Sequence, residues 1–120
     1  MNTQKTLVVD LDDTLCIPNH AETDTFKKYG LAEPIDDMIQ SLIKAKSIGF
    51  RIVIFTARRM LTHRGDINKV IEDVGEVTTN WLNQHNVPYD ELQFGKPYGV
   101  YYIDDKAMLP QTFIDYISEA

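Results

Sequence analysis

A chain of 120 residues, 43% apolar and 25% charged, can bury one hydrophobic core and is too short for two domains of ordinary size. Its net charge of −6 argues against nonspecific attachment to a nucleic-acid backbone or an anionic membrane. The same charge leaves phosphorylated substrates open, because a bound divalent cation inverts the local field. Cys16 is the single cysteine, which excludes an internal disulfide and fits a reducing, cytoplasmic location. No stretch approaches the roughly 20 apolar residues of a membrane span. Strand-like sequence begins almost at the N-terminus, where a signal peptide would otherwise be expected.

In chain order, strand and helix patterns alternate, which predicts a parallel sheet with helices on its faces. The first strand is expected over Lys5–Leu11. Residues Cys16–Pro34 are polar and broken by Pro18, Gly30 and Pro34, which reads as a short flap-like insertion (16–34) within a single domain (1–120). Ile35, Met38, Ile39, Leu42, Ile43 and Ala45 keep the spacing of a helix face, and Gly49 ends it. Arg51–Phe55 is the second strand. A long helix follows over Ile67–His85, with Trp81 as a core anchor. Glu91–Phe94 is the third strand, Val100–Asp104 the fourth, and Pro110–Ile117 a closing helix.

Four segments carry chemistry. Asp10 and Asp12 end the first strand, and their two-residue spacing puts both side chains on one side. Such strand ends are where open α/β sheets bind ligands. A phosphate ester needs a nucleophile on phosphorus and a proton donor for the leaving oxygen. Asp10 is the candidate nucleophile, and Asp12 the candidate acid and later base. Thr56 ends the second strand, where its hydroxyl would donate to a phosphate oxygen. Lys96, held between Gly95 and Pro97, would balance the charge of Asp10 and the phosphate. Asp104 and Asp105 end the fourth apolar run. Two acidic strand ends suit a hard cation with oxygen ligands, with Mg²⁺ as the default. Arg58 suits an anionic part of the substrate or the orientation of the acidic motif. A lone threonine after a strand is usually a turn residue, and a lone lysine usually a solvated charge. Cys16 reads as a small filler near the site, His20 and His85 as surface residues, and Tyr98, Tyr101 and Tyr102 as core or rim.

Taken together, Asp10-Leu11-Asp12-Asp13-Thr14, Phe55-Thr56-Ala57-Arg58, Gly95-Lys96-Pro97 and Tyr102-Ile103-Asp104-Asp105 resemble the four motifs of the haloacid dehalogenase superfamily, in order and across nearly the whole chain. The likeness is to its small capless phosphatase-like members, some described as capsule-biosynthesis phosphatases. It implies a three-layer Rossmann-like α/β fold with a small, mainly parallel sheet and no separate cap domain. It also implies a Mg²⁺-dependent phosphatase working through an aspartyl-phosphate. In that scheme Asp10 is nucleophile and metal ligand, and Asp12 is acid/base with its backbone carbonyl on the metal. Thr56 and Lys96 hold the phosphate, and Asp105 binds metal with Asp104 in support.

Two features depart from that pattern. Asp13 stands where related phosphatases commonly have glycine. The family strand order also asks the chain to cross two strands between the third and the fourth, and only Gly95–Gly99 separate them, where a parallel crossover usually takes a dozen residues or more. A sugar phosphate, a nucleotide or a phosphorylated macromolecule are all open as substrates. A homo-oligomer whose partner subunit covers the site is open too. The alternative function is a phosphate-binding or receiver-like phospho-acceptor module without turnover. The position of Lys96 before the last acidic pair counts against a receiver.

Overall fold

The computed structural model describes residues 5–120. The reading of the extreme N-terminus rests partly on residues 1–4, which lie outside the described residues. Strand β1 (Thr6–Val9) leads to a short antiparallel pair, β2 (Cys16–Ile17) with β3 (Glu33–Pro34), joined through a π-helical turn at Phe26–Gly30. Helix α1 (Asp36–Ser47), strand β4 (Arg51–Thr56), helix α2 (Ile67–Gln84), strand β5 (Glu91–Phe94) and helix α3 (Pro110–Ser118) complete the chain. The main sheet has the order β1-β4-β5 and is parallel throughout. The α/β, Rossmann-like expectation therefore holds.

Local chemistry explains the elements. In α1, Met38, Ile39, Leu42 and Ala45 are buried at helical spacing. Asp36 and Asp37 open that helix and Lys44 and Lys46 close it, each sign matching the helix dipole. Gly49 follows at φ 105°, a conformation that favours glycine, and turns the chain into β4. In α2 the Asp66 side chain accepts from Lys69 N at 3.2 Å and caps the first turn. Val70, Val74, Thr78, Trp81 and Leu82 form its buried stripe, which runs unbroken through Gly75. The Trp81 indole N–H donates to the Ala32 carbonyl at 2.9 Å, so the expected core anchor also ties the flap segment to α2.

Helices α1, α2 and α3 contribute to one core with Leu7, Val9, Ile52, Ile54 and Leu92, which share a single face of the sheet. On the opposite face Val8 is exposed, and Arg51 pairs with Glu91 at 2.7 Å. Strand β4 is central, so Ile52, Val53 and Ile54 are all buried.

The fourth strand is not formed. Val100–Asp104 is irregular and exposed, and among the described residues β1 has no neighbour on its outer edge. The physical reason lies in the link. Gly95 sits at φ 98°, and a Cβ there would approach Ile67 Cδ1 to 2.6 Å. Lys96 N then donates to Thr56 O at 3.1 Å, so the chain stays beside β4 and does not cross it.

Asp90 clamps the entry to β5. Its carboxylate accepts from Lys46 Nζ and, at 2.8 Å, from Ile52 N. The Lys46 bond first, and the Ile52 N–H second, hold its pKa below the ordinary carboxylate value. A carboxylate lowered in this way stabilises the fold above its unfolded pKa and loses that effect as the pH falls through the folded one. Asp90→Ala is expected to cost about 1 kcal/mol at neutral pH. In urea titrations the gap to wild type should begin to narrow as the pH falls past the ordinary carboxylate value and close only below the lowered one.

Candidate active site

The site forms where β1 and β4 end and the chain leaves β5. Asp10 follows β1, Thr56 ends β4, and Lys96 stands two residues beyond β5. Parallel register brings these three ends to one level. Lys96 Nζ donates to Asp10 Oδ1 at 3.3 Å, and Thr14 Oγ1 donates to Asp10 Oδ2 at 3.2 Å. Thr56 is 1% exposed, and its oxygen accepts from Arg58 N at 3.0 Å. That leaves the hydroxyl hydrogen as its remaining donor. A cleft of about 380 Å³ opens beside these groups, lined by Asp10, Asp12, Thr56, Arg58 and Arg59 at and just beyond the ends of β1 and β4 and by Tyr98 and Tyr102 from the loop after β5.

Arg58 is the most constrained residue here. It is 4% exposed, and its guanidinium donates from Nε to Asp12 Oδ2 at 3.1 Å and from Nη2 to Asp12 Oδ1 at 2.6 Å. Nη1 donates to Thr78 Oγ1 at 2.8 Å, and the group lies 4.1 Å from the Tyr29 ring centroid. This fork grips both oxygens of Asp12. The sequence offers Arg58 an anionic part of the substrate or the acidic pair Asp104-Asp105 as its partner; the structure places it on Asp12 of the first motif instead. Burial pushes the Tyr29 phenol up, with the nearby arginines pulling the other way.

Five of the expected site residues thus come together: Asp10, Asp12, Thr56 and Arg58 line the cleft, and Lys96 stands behind it, joined to Asp10. Asp104 and Asp105 do not join them. Asp105 pairs with the adjacent Lys106 at 3.2 Å, with both side chains over four-fifths exposed. Asp104 accepts from Lys106 N at 2.8 Å, and that bond lowers its pKa. Because the fourth strand is missing, nothing carries the second acidic pair to the level of Asp10. Among the described residues no three His, Cys, Asp or Glu side chains converge as a metal site. Tyr101 is exposed, so the core reading fails for it, while Tyr98 and Tyr102 are rim residues. Tyr102 also stacks on Lys96, with Nζ 4.1 Å from the ring centroid.

Cys16 is fully buried, with its Sγ 3.4 Å from Asp12 Oδ1. Burial first, then the negative charge of Asp12, pushes the thiol far up, which makes it a poor nucleophile and fits the filler reading. His20 is exposed, as expected, yet it lines the cleft and lies 3.4 Å from Asp13. Three further residues were not singled out from sequence. Thr78 is a polar residue on the buried stripe of α2, a signal that it has a polar partner. Tyr29 lies within a polar stretch that gave no sign of its packing. Thr14 was visible only as part of the first motif. A larger hollow of about 540 Å³ beside Ile17, Lys27 and Leu31 contains none of this constellation.

Asp13 adopts φ 64°, a left-handed conformation in which glycine is at ease and aspartate is tolerated. Asp13→Val should therefore cost about 1–2 kcal/mol in thermal or chemical unfolding, while Asp13→Gly should be nearly neutral.

No family model and no curated protein sequence matches the chain. Among solved structures, a crystal structure of a protein from Vibrio cholerae matches with a TM-score of 0.82 and 38% identity, covering 96% of this chain and 94% of that one. Chains in two structures of a Pnkp1/Rnl/Hen1 complex, one described as an RNA repair complex, match with TM-scores of 0.56 and 0.55 and identities of 19% and 15%. Those matches cover 88% and 98% of this chain and 32% of each partner chain, and they show a shared fold. At 38% identity over nearly the full length of both proteins, the chain belongs to the same family as the Vibrio cholerae protein.

Proposed function

We propose that this protein is a Mg²⁺-dependent phosphomonoester hydrolase of the haloacid dehalogenase type, with Asp10 as nucleophile. The observation that carries the reading is the convergence of Asp10, Thr56 and Lys96 at three parallel strand ends, with Asp10 and Thr56 lining the cleft, Lys96 bonded to Asp10, and Arg58 and Asp12 locked beside them. In the first step an Asp10 carboxylate oxygen attacks phosphorus and the bond to the leaving oxygen breaks. Asp12, which must take up a proton from solvent before this step, gives it to that oxygen. In the second step Asp12 takes a proton from water, which attacks phosphorus and frees Asp10 and inorganic phosphate. Lys96 and the Thr56 hydroxyl neutralise and hold the phosphoryl oxygens. Asp12 must leave at least one of its two Arg58 bonds to reach the leaving oxygen.

A carboxylate at Asp10, the Asp12 carbonyl and the substrate phosphate make a donor set that suits Mg²⁺, which binds through one or two carboxylates with phosphate and water. When bound, the ion would supply positive charge to the transferring phosphoryl group. The fold shared with the Pnkp1-containing structures fits a phosphoesterase and leaves the substrate open. We take the substrate to be a small phosphorylated molecule met in the cytoplasm, admitted through an open cleft that no separate cap domain covers. Among the described residues no helix is long and apolar enough to cross a membrane.

The full occupation of Asp12 by Arg58 favours a second reading, a phosphate-binding module without turnover. Phosphate release from an aryl phosphate and a panel of sugar phosphates and nucleotides separates the two. Turnover that needs Mg²⁺ and stops with EDTA supports the hydrolase. Saturable binding of phosphate with no release from any ester supports the module.

A further inference from the structure

We propose that two copies of this chain exchange the arm at residues 100–105, each arm adding a fourth strand to the free outer edge of β1 in the other copy. The arm is apolar where a loop should be polar. Val100, Tyr101 and Ile103 are 85%, 83% and 98% exposed. The edge that would receive it is equally unfinished. Strand β1 pairs only with β4 among the described residues, and Val8 on it is 67% exposed. Such an edge offers a row of unpaired N–H and C=O groups to another chain. A parallel pairing that sets Asp104 level with Asp10 places Tyr102 beside Val8. It also puts Tyr101 and Ile103 on the face of Leu7 and Val9, where the main core lies.

The chain's own arm cannot reach this edge. From the end of β5, past β4 and β1, the lateral path is about 14 Å at three strand spacings, and a parallel arm must also drop about 10 Å to the start of β1. Lys96 N is tied to Thr56 O, so the free link runs only from Lys96 to Val100 and spans at most about 14 Å fully extended. Within one chain the arm is instead folded back on the link, the Tyr102 hydroxyl donating to Pro97 O at 2.8 Å and accepting from Gly99 N at 3.0 Å, bonds that the exchange gives up. A second copy has no such limit, and a two-fold axis satisfies both edges at once. The exchange would also deliver Asp105, the acidic residue the site lacks within one chain, to Asp10 of the other copy. This last point rests on the proposed hydrolase, whereas the dimer itself does not.

Sedimentation of the full-length protein at micromolar concentration tests the exchange. Wild type should run as a dimer. Ile103→Glu on the arm and Val8→Lys on the edge should each weaken dimerisation at least tenfold. Both sites are exposed within one chain, so each variant should stay folded, with a cooperative melt, and lose only the part of the melting temperature that depends on protein concentration in wild type. A monomeric wild type would overturn the proposal. So would a Val8→Lys variant that remains fully dimeric, since that outcome would mean the arms pair with each other and leave β1 alone. Asp105 in trans has its own test. Asp10→Asn and Asp105→Asn should each be inactive, and an equimolar mixture allowed to exchange subunits should regain about a quarter of wild-type turnover, as one working site survives in each mixed dimer. No recovery from two stably dimeric, inactive variants would reject the shared site. Absence of turnover in wild type would count against the hydrolase and leave the sedimentation result to decide the exchange.

Discussion

Arg58→Ala is expected to lower the stability of the fold by about 3 kcal/mol, a drop in melting temperature of roughly 10 °C. The size follows from what the guanidinium does. It is nearly inaccessible, and it satisfies both oxygens of Asp12 and the hydroxyl of Thr78, itself 1% exposed. Removing it leaves a partly buried carboxylate and a buried hydroxyl without their donor, and opens a void against Tyr29. The side chain of Asp12 is 24% exposed, so water recovers part of the loss, which keeps the figure below the upper range for a buried pair. Arg58→Lys should recover little. An ammonium cannot bridge two carboxylate oxygens and Thr78 together from that depth. Thermal unfolding of the two variants beside wild type measures this. If Arg58→Lys is as stable as wild type, charge alone matters and the fork geometry does not.

Asp10→Asn is expected to abolish phosphate release, at least about a thousandfold, with little change in stability. The amide keeps the shape of the side chain and one oxygen for the Thr14 hydroxyl or the Lys96 ammonium. It loses the nucleophile. A stability loss large enough to unfold the protein would spoil this comparison, but Asp10 sits at a solvated strand end with its side chain 37% exposed. Melting curves should show the two proteins within a few degrees. Lost activity with an intact fold then belongs to the chemistry.

Much of this arrangement was legible in the sequence because it depends on local rules. The run Leu7-Val8-Val9 ending in Asp10, and the run Ile52–Phe55 ending in Thr56, each announce a strand and the level at which it ends. Once those two strands and Glu91–Phe94 lie parallel, Asp10, Thr56 and Lys96 must come together. The extent of the first helix was readable from its apolar spacing and from Gly49 for the same reason. The failure came at Val100–Asp104, where the apolar run has all the local marks of a strand. A strand also needs a neighbour within reach, and reach is set by the five residues Gly95–Gly99 and by the Lys96 bond to Thr56. The short link was visible in the sequence; its tether was not. Thr78 and Tyr29 were missed because their roles come from packing across α2 and the flap segment, which no local pattern encodes.

The central claim is that Asp10 itself carries the phosphoryl group during turnover. The most direct measurement uses Asp12→Asn, which lacks the base for the second step, and an aryl phosphate, whose leaving oxygen needs no proton. With ³²P-labelled substrate, Mg²⁺ and an acid quench, the label should accumulate on the peptide that contains Asp10 and be released by hydroxylamine. Label found on another residue, or continued phosphate release with the protein unlabelled, would contradict the account.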